Sequence, residues 1–150
     1  MNKIYILGIG PGNKDYLLEK TKKIIKKSDV LIGGKRALDL FSDLNKEKIK
    51  ITANLEKIKS YILSNYQEKS ISVLVSGDPG FYSMLNYLKR NLDKDLLEVI
   101  PGISSLQLAA ARMKTNWNDM KITSLHGQKD MNKFLNEVKE NKKLGVFTDM

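Results

Sequence analysis

Apolar residues along the chain fall into short unbroken runs separated by amphipathic stretches. The runs at Lys3–Ile9, Val30–Ile32, Ile49–Ile51, Ile71–Val75, Leu97–Ile100, Lys121–Leu125 and Leu144–Phe147 have strand length, and most show no in/out alternation. Continuous isoleucine, leucine and valine mark strands covered on both faces, as in a parallel sheet flanked by helices. Between the runs the period changes to that of a helix. Asp15–Lys27 sets Leu17, Leu18, Thr21, Ile24 and Ile25 on one stripe with lysines opposite, and Asn13 or Asp15 suits the start as a cap. Asn54–Asn65, Gly80–Arg90 and Ile103–Met113 repeat the spacing. Strand–helix alternation of this kind predicts an α/β fold: an open, mostly parallel sheet with right-handed crossovers and helices on its faces.

The alternation pauses at "RMKTNWNDM", where polar residues surround Trp117. This divides the chain into a first α/β domain over 1–115, a linker at 116–120, and a strand–helix–strand segment over 121–150. Thirty residues do not bury a core alone. The segment therefore reads as the start of a second α/β domain, truncated after its second strand.

Composition narrows the chemistry. The sequence has no cysteine, which excludes disulfides, thiolate metal sites and a cysteine nucleophile. A lone histidine, His126, excludes a histidine-cluster metal site, so no metal is expected. No run approaches the roughly 20 apolar residues of a membrane span, and Met1 leads directly into the first strand without a signal core. A cytoplasmic address with no membrane partner follows as the expectation. The net charge of +9 suits an anionic partner: nucleic acid, a membrane surface or a polycarboxylate small molecule. Nearly all of it is lysine dispersed over helix faces, as on a solvated surface.

Three loops at predicted strand ends combine glycine with proline. The first is Gly8-Ile9-Gly10-Pro11-Gly12-Asn13. A dinucleotide loop would carry glycine where Asn13 stands and an N–H donor where Pro11 stands. The stretch instead makes a bend with little side-chain bulk, suited either to a tight turn or to close approach of a flat ligand. The second, "VSGDPGFYS", brackets Asp78-Pro79 between Gly77 and Gly80. Asp78 reads equally as a helix cap or as a ligand for hydroxyl or ammonium groups. Phe81 and Tyr82 read as core or pocket wall. The third, "VIPGISSLQLAAARM", places Ser104 and Ser105 at the mouth of a helix rich in small residues, either as hydroxyl caps or beside a ligand.

In this order the loops resemble those of the tetrapyrrole methylases, over the whole chain. "SLHG" at Ser124–Gly127, "VFTD" at Val146–Asp149 and "VLIGGKRAL" at Val30–Leu38 are most similar to the branch that methylates C5 of cobalt-precorrin-7 in cobalamin synthesis. The resemblance implies an S-adenosylmethionine-dependent C-methyltransferase with its donor in a cleft between two α/β domains. It implies that Ser76, Gly77, Asp78, Phe81, Ser104 and Ser105 hold the donor. Gly10, Pro11 and Gly12 would line the macrocycle's side, and Arg36, with Lys35 and Arg112, would pair with the carboxylates of an anionic cobalt-precorrin. His126 would remove a proton. A homodimer and a partner enzyme for C15 methylation and decarboxylation are implied as well. The neighbouring alternatives are sister enzymes acting on another ring position, a sirohaem precursor, ribosomal RNA or diphthine. A basic α/β module holding a nucleotide or RNA without catalysis is the alternative from a different class. Dispersed lysines and the N–H donors missing at Pro11 and Pro79 argue against it, so no nucleic-acid partner is expected.

Overall fold

The computed structural model describes residues 3–125 and 131–148. It divides into two compact units, Met1–Ser105 and Leu106–Met150. The polar stretch 116–120 thus lies inside the second unit.

The first unit holds five strands: β1 (Ile4–Gly8), β2 (Val30–Gly33), β3 (Glu47–Lys50), β4 (Ile71–Val75) and β5 (Leu97–Ile100). They form one parallel sheet in the order β3-β2-β4-β1-β5. Four helices belong to it: α1 (Glu19–Lys27), α2 (Lys35–Asp39), α3 (Leu55–Asn65) and α4 (Leu85–Asn91). The steps β1→β2→β3 run one way along the sheet, and β3→β4→β5 run back. Right-handed crossovers therefore put α1 and α2 on one face and α3 and α4 on the other.

The core divides accordingly. Ile4, Ile6, Val30, Ile32, Ile71 and Val73 pack with Ile58 and Ile62 of α3 and Leu88 of α4. Leu7, Leu31 and Leu74, the intervening strand positions, pack with Ile25 of α1 and with Ala37 and Leu38 of α2. Both faces of the central strands β1, β2 and β4 are buried, so these carry no polar alternation, whereas edge strand β3 (Glu47–Lys50) is polar and largely exposed. Each fully buried side chain of this kind contributes about 1.5–3 kcal/mol.

Three local outcomes differ from the pattern-based expectation. The first helix starts later, because the Asn13 side chain accepts the Asp15 N–H and closes a separate 3-10 turn over Lys14–Tyr16. Leu17 then runs extended and buries its side chain before α1 begins. The fourth helix starts at Leu85 rather than Gly80, since side-chain bonds within 78–85 compete with helical ones. Helix α2 is too short to show a period, although Ala37 and Leu38 are buried.

The second unit contains most of α5 (Ser105–Arg112), then β6 (Lys121–Ser124), α6 (Met131–Glu140) and β7 (Leu144–Phe147), with β6 and β7 paired in parallel. Among the described residues no helix is long and apolar enough to cross a membrane.

Candidate functional site

Ligands of open α/β sheets bind beyond the carboxyl ends of strands whose connections leave toward opposite faces. Here that condition holds at two gaps. Strand β4 leads to α4 on one face, while its neighbours β1 and β2 lead to α1 and α2 on the other.

The β1/β4 gap is closed by backbone. Gly10 and Gly77 form an antiparallel bridge, with the Gly77 N–H donating to the Gly10 carbonyl at 2.7 Å and the Gly10 N–H donating back at 3.2 Å. The β2/β4 gap stays open. A cleft of about 450 Å³ lies there, lined among others by Gly34, Lys35, Arg36, Ala37, Ser76 and Met84.

Asp78 ties the second loop to the third. Its Oδ1 accepts the Gly80 N–H at 2.7 Å, and its Oδ2 accepts the Gly102 N–H at 3.0 Å. It does not cap α4. That helix's first N–H, on Leu85, donates to the Ser83 hydroxyl at 3.1 Å, and Ser83 in turn donates to the Pro79 carbonyl.

The glycines at the junction are lean because backbone lies against backbone. A Cβ on Gly8 would stand 2.5 Å from the Gly102 nitrogen and 2.8 Å from the Gly77 carbonyl oxygen. On Gly77 it would stand 3.5 Å from the Ser104 Cα. Gly10 and Gly77 also hold positive φ, of 73° and 67°. Gly12 differs. Its φ is 104°, yet beyond its chain neighbours no atom of the described residues lies within 4 Å of a Cβ built there, so it faces open space beside half-buried Pro11.

The structure therefore gathers Gly10, Pro11, Ser76, Gly77, Asp78 and Ser104 at one rim of the sheet, and sets Arg36 and Ser76 on the wall of the same cleft. Ser104 is buried, Ser105 is exposed, and the half-buried Phe81 donates its N–H to the Asp78 carbonyl at 3.1 Å. Arg112 is exposed on α5, in the second unit. His126 lies outside the described residues. Sequence reasoning assigned no role at the cleft to Met84 or Gly34. The signal for Gly34 was present: a glycine directly after the buried strand Val30–Gly33 leaves that point of the cleft wall without a side chain.

Charge is segregated along the rim. The loops 75–81 and 101–105 contain no lysine or arginine, and the Asp78 carboxylate is engaged by two backbone N–H groups. On the far side of the cleft stand Lys35 and Arg36, and among the described residues no acidic side chain lines it. Among the described residues no cluster of carboxylates and histidine suits a metal ion. The β1 loop offers no phosphate cradle either, because the Gly10 N–H is engaged and a 3-10 turn follows the glycines.

Comparison with known proteins gives a consistent match. The family model for tetrapyrrole (corrin/porphyrin) methylases covers residues 3–149. A probable cobalt-precorrin-7 C(5)-methyltransferase of Methanocaldococcus jannaschii is 43% identical over 145 residues, 94% of this chain and 69% of that protein. The crystal structure of a cobalamin-biosynthesis precorrin-6Y methylase from Archaeoglobus fulgidus superposes with a TM-score of 0.70 at 27% identity, over 84% of this chain and 66% of that one. A cobalt precorrin-4 methyltransferase structure gives a TM-score of 0.79 at 25% identity, over 97% of this chain and 68% of that one. The chain thus spans about two thirds of the length of these relatives.

Proposed function

This chain belongs to the tetrapyrrole (corrin/porphyrin) methylases, and from that premise we propose that it acts as an S-adenosylmethionine-dependent C-methyltransferase of cobalamin biosynthesis, methylating C5 of cobalt-precorrin-7. The observation that carries the reading is the charge-segregated rim, where three glycine–proline loops meet beside an open cleft.

The residues at the junction fit the methyl donor. S-adenosylmethionine supplies an electrophilic methyl group on a sulfonium, and a cation in the loops would repel it. The loops 75–81 and 101–105 have none. Ser76, Gly77, Asp78 and Phe81, with Ser104 and Ser105, hold the donor through carbonyls and short side chains. The Asp78 charge is directed into the Gly80 and Gly102 N–H groups. A carboxylate aimed at the sulfonium would stabilise the ground state more than the transition state, in which that charge disappears. The chain's task is positioning: reacting atoms about 3–3.5 Å apart and in line.

Gly10, Pro11 and Gly12 border the macrocycle, and Arg36 pairs with its carboxylates by charge-assisted hydrogen bonds. His126, the one imidazole of the sequence, takes a proton from elsewhere on the ring. The same reading carries a cytoplasmic address, a homodimer and a separate enzyme for C15 methylation and decarboxylation. The open edges of β3 and β5 support the dimer.

Incubating the chain with S-adenosylmethionine and cobalt-precorrin-7 tests this by mass spectrometry. A gain of one methyl is expected. Binding of ATP or an oligonucleotide, with none of S-adenosylhomocysteine, would overturn it in favour of a nucleotide module. The higher structural similarity to the cobalt precorrin-4 methyltransferase favours a second reading, methylation at another ring position. Methyl transfer to cobalt-precorrin-4 alone would select that reading.

A further inference from the structure

A cationic corner beside the cleft is completed by a residue from an edge strand. In the parallel pairing of β2 with β3, Lys50 lies opposite Gly33, so it stands at the carboxyl end of β3, next to the Gly34-Lys35-Arg36 turn. Ile49 packs toward the α3/α4 core. Lys48 and Lys50, the alternate positions, therefore face the α1/α2 side, where α2 begins. Gly33 shares that facing, since a Cβ on it would lie 3.3 Å from the Ala37 Cβ.

The two β3 lysines on this side differ in what they do. Lys48 donates its ammonium to the Leu44 carbonyl. Lys50, Lys35 and Arg36 are exposed and, among the described residues, make no side-chain hydrogen bond or ion pair. Lys35 and Arg36 thus line the cleft with Lys50 beside their turn; apart from Ser76 the rest of the lining is apolar or glycine, and no acidic side chain belongs to it among the described residues.

We propose that Lys50 is a specificity-determining residue, which together with Lys35 and Arg36 takes two neighbouring carboxylates on one edge of a polycarboxylate macrocycle seated in the β2/β4 cleft. The inference rests on the methylase reading, which supplies the macrocycle. It adds the corner that reads the macrocycle's carboxylates and the strand that provides it. Glycine at 34 lets the ring edge approach the backbone, and the corner selects rings with adjacent acidic substituents.

Fluorescence titration of the full chain with uroporphyrin, an octacarboxylate, and with coproporphyrin, a tetracarboxylate, tests this. Lys50→Gln should weaken uroporphyrin binding roughly three- to fivefold at low ionic strength, with a smaller effect on coproporphyrin. The difference should fade at high salt. Lys50→Arg should restore binding, and S-adenosylhomocysteine affinity should stay at the parent value. Lys27→Gln, which removes the same charge at the opposite end of the sheet, should have little effect. Equal weakening by the Lys50 and Lys27 variants would overturn the corner and leave the methylase reading standing. Failure of the parent chain to bind either porphyrin would overturn both.

Discussion

The Asp78 carboxylate accepts a hydrogen bond at 3.0 Å from the backbone N–H of Gly102, which lies 24 positions further along the chain. The bond crosses from the loop after β4 to the loop after β5. Its other oxygen holds Gly80 within its own loop. Asp78 is therefore the brace of the junction, and any part it plays in holding the donor passes through loops that it sets.

Replacing it should affect both stability and ligand. Asp78→Ala leaves two N–H groups without their charged acceptor, and should lower unfolding free energy by about 2–3 kcal/mol. S-adenosylhomocysteine affinity should fall with it. Asp78→Asn keeps one acceptor oxygen but turns an NH₂ toward the other N–H, so it should recover only part of the loss. Calorimetry together with thermal unfolding checks this. Lower stability with unchanged affinity would remove the 78–80 loop from the donor site.

The glycines around the junction should separate by what surrounds them. Gly8→Ala places a methyl against the backbone of Gly102 and Gly77, where no side chain can turn aside. Its cost should reach or exceed about 3 kcal/mol, the upper end for overpacking. Gly12→Ala meets no atom within 4 Å but must hold a φ of 104°, and should cost about 1–2 kcal/mol. Gly34→Ala meets neither obstacle, and should leave stability within about 0.5 kcal/mol of the parent. Urea midpoints of the three variants test the order. A stable Gly8→Ala protein would contradict the packing of the loops.

Much of this was legible in the residues, and what was not has local causes. Uninterrupted runs such as Val30–Ile32 gave away a doubly covered parallel sheet, because burial on both faces removes the need for alternation. The three loops could be picked out by proline with glycine at the ends of β1, β4 and β5. Two things were hidden. The starts of α1 and α4 are set by side-chain to backbone bonds from Asn13, Asp78 and Ser83, which leave no periodic trace. Lys50 becomes notable only through strand register, since nothing in the sequence says that β3 lies beside β2.

Edge strand β3 should make stability depend on acid. The Glu47 carboxylate accepts bonds from Lys69 at 2.8 Å and from the Tyr61 hydroxyl at 2.6 Å. Those partners, Lys69 first, hold its pKa below the ordinary 4.5. A depressed carboxylate adds stability that is fully present above its unfolded value and disappears as pH falls through its folded one. Lys69 is raised by the same carboxylate, and Tyr61 is raised first by burial and then by Glu47. Their contributions are full below their ordinary values and are lost only in strong alkali. Glu47→Gln should therefore be less stable than the parent near neutral pH, with the gap narrowing below 4.5. Urea midpoints followed against pH would show it, and a gap that stays constant into acid would dismiss the cluster.

Thr21 offers the opposite kind of test, a substitution expected to stabilise. It lies in the third position of α1, is fully buried, and its Oγ1 has no hydrogen-bond partner among the described residues. The helix supplies the packing but leaves the hydroxyl desolvated, which costs on the order of 1–3 kcal/mol. Thr21→Val keeps the branched shape and replaces the hydroxyl with a methyl. The change in helix propensity is small, as both residues are β-branched. The variant should gain about 1 kcal/mol and melt a few degrees higher. Thr21→Ser retains the polar atom and removes the methyl, so it should lose about 1 kcal/mol. If Val destabilises instead, the hydroxyl has a partner in solution, and a water bridging it to a neighbouring carbonyl would be the first place to look.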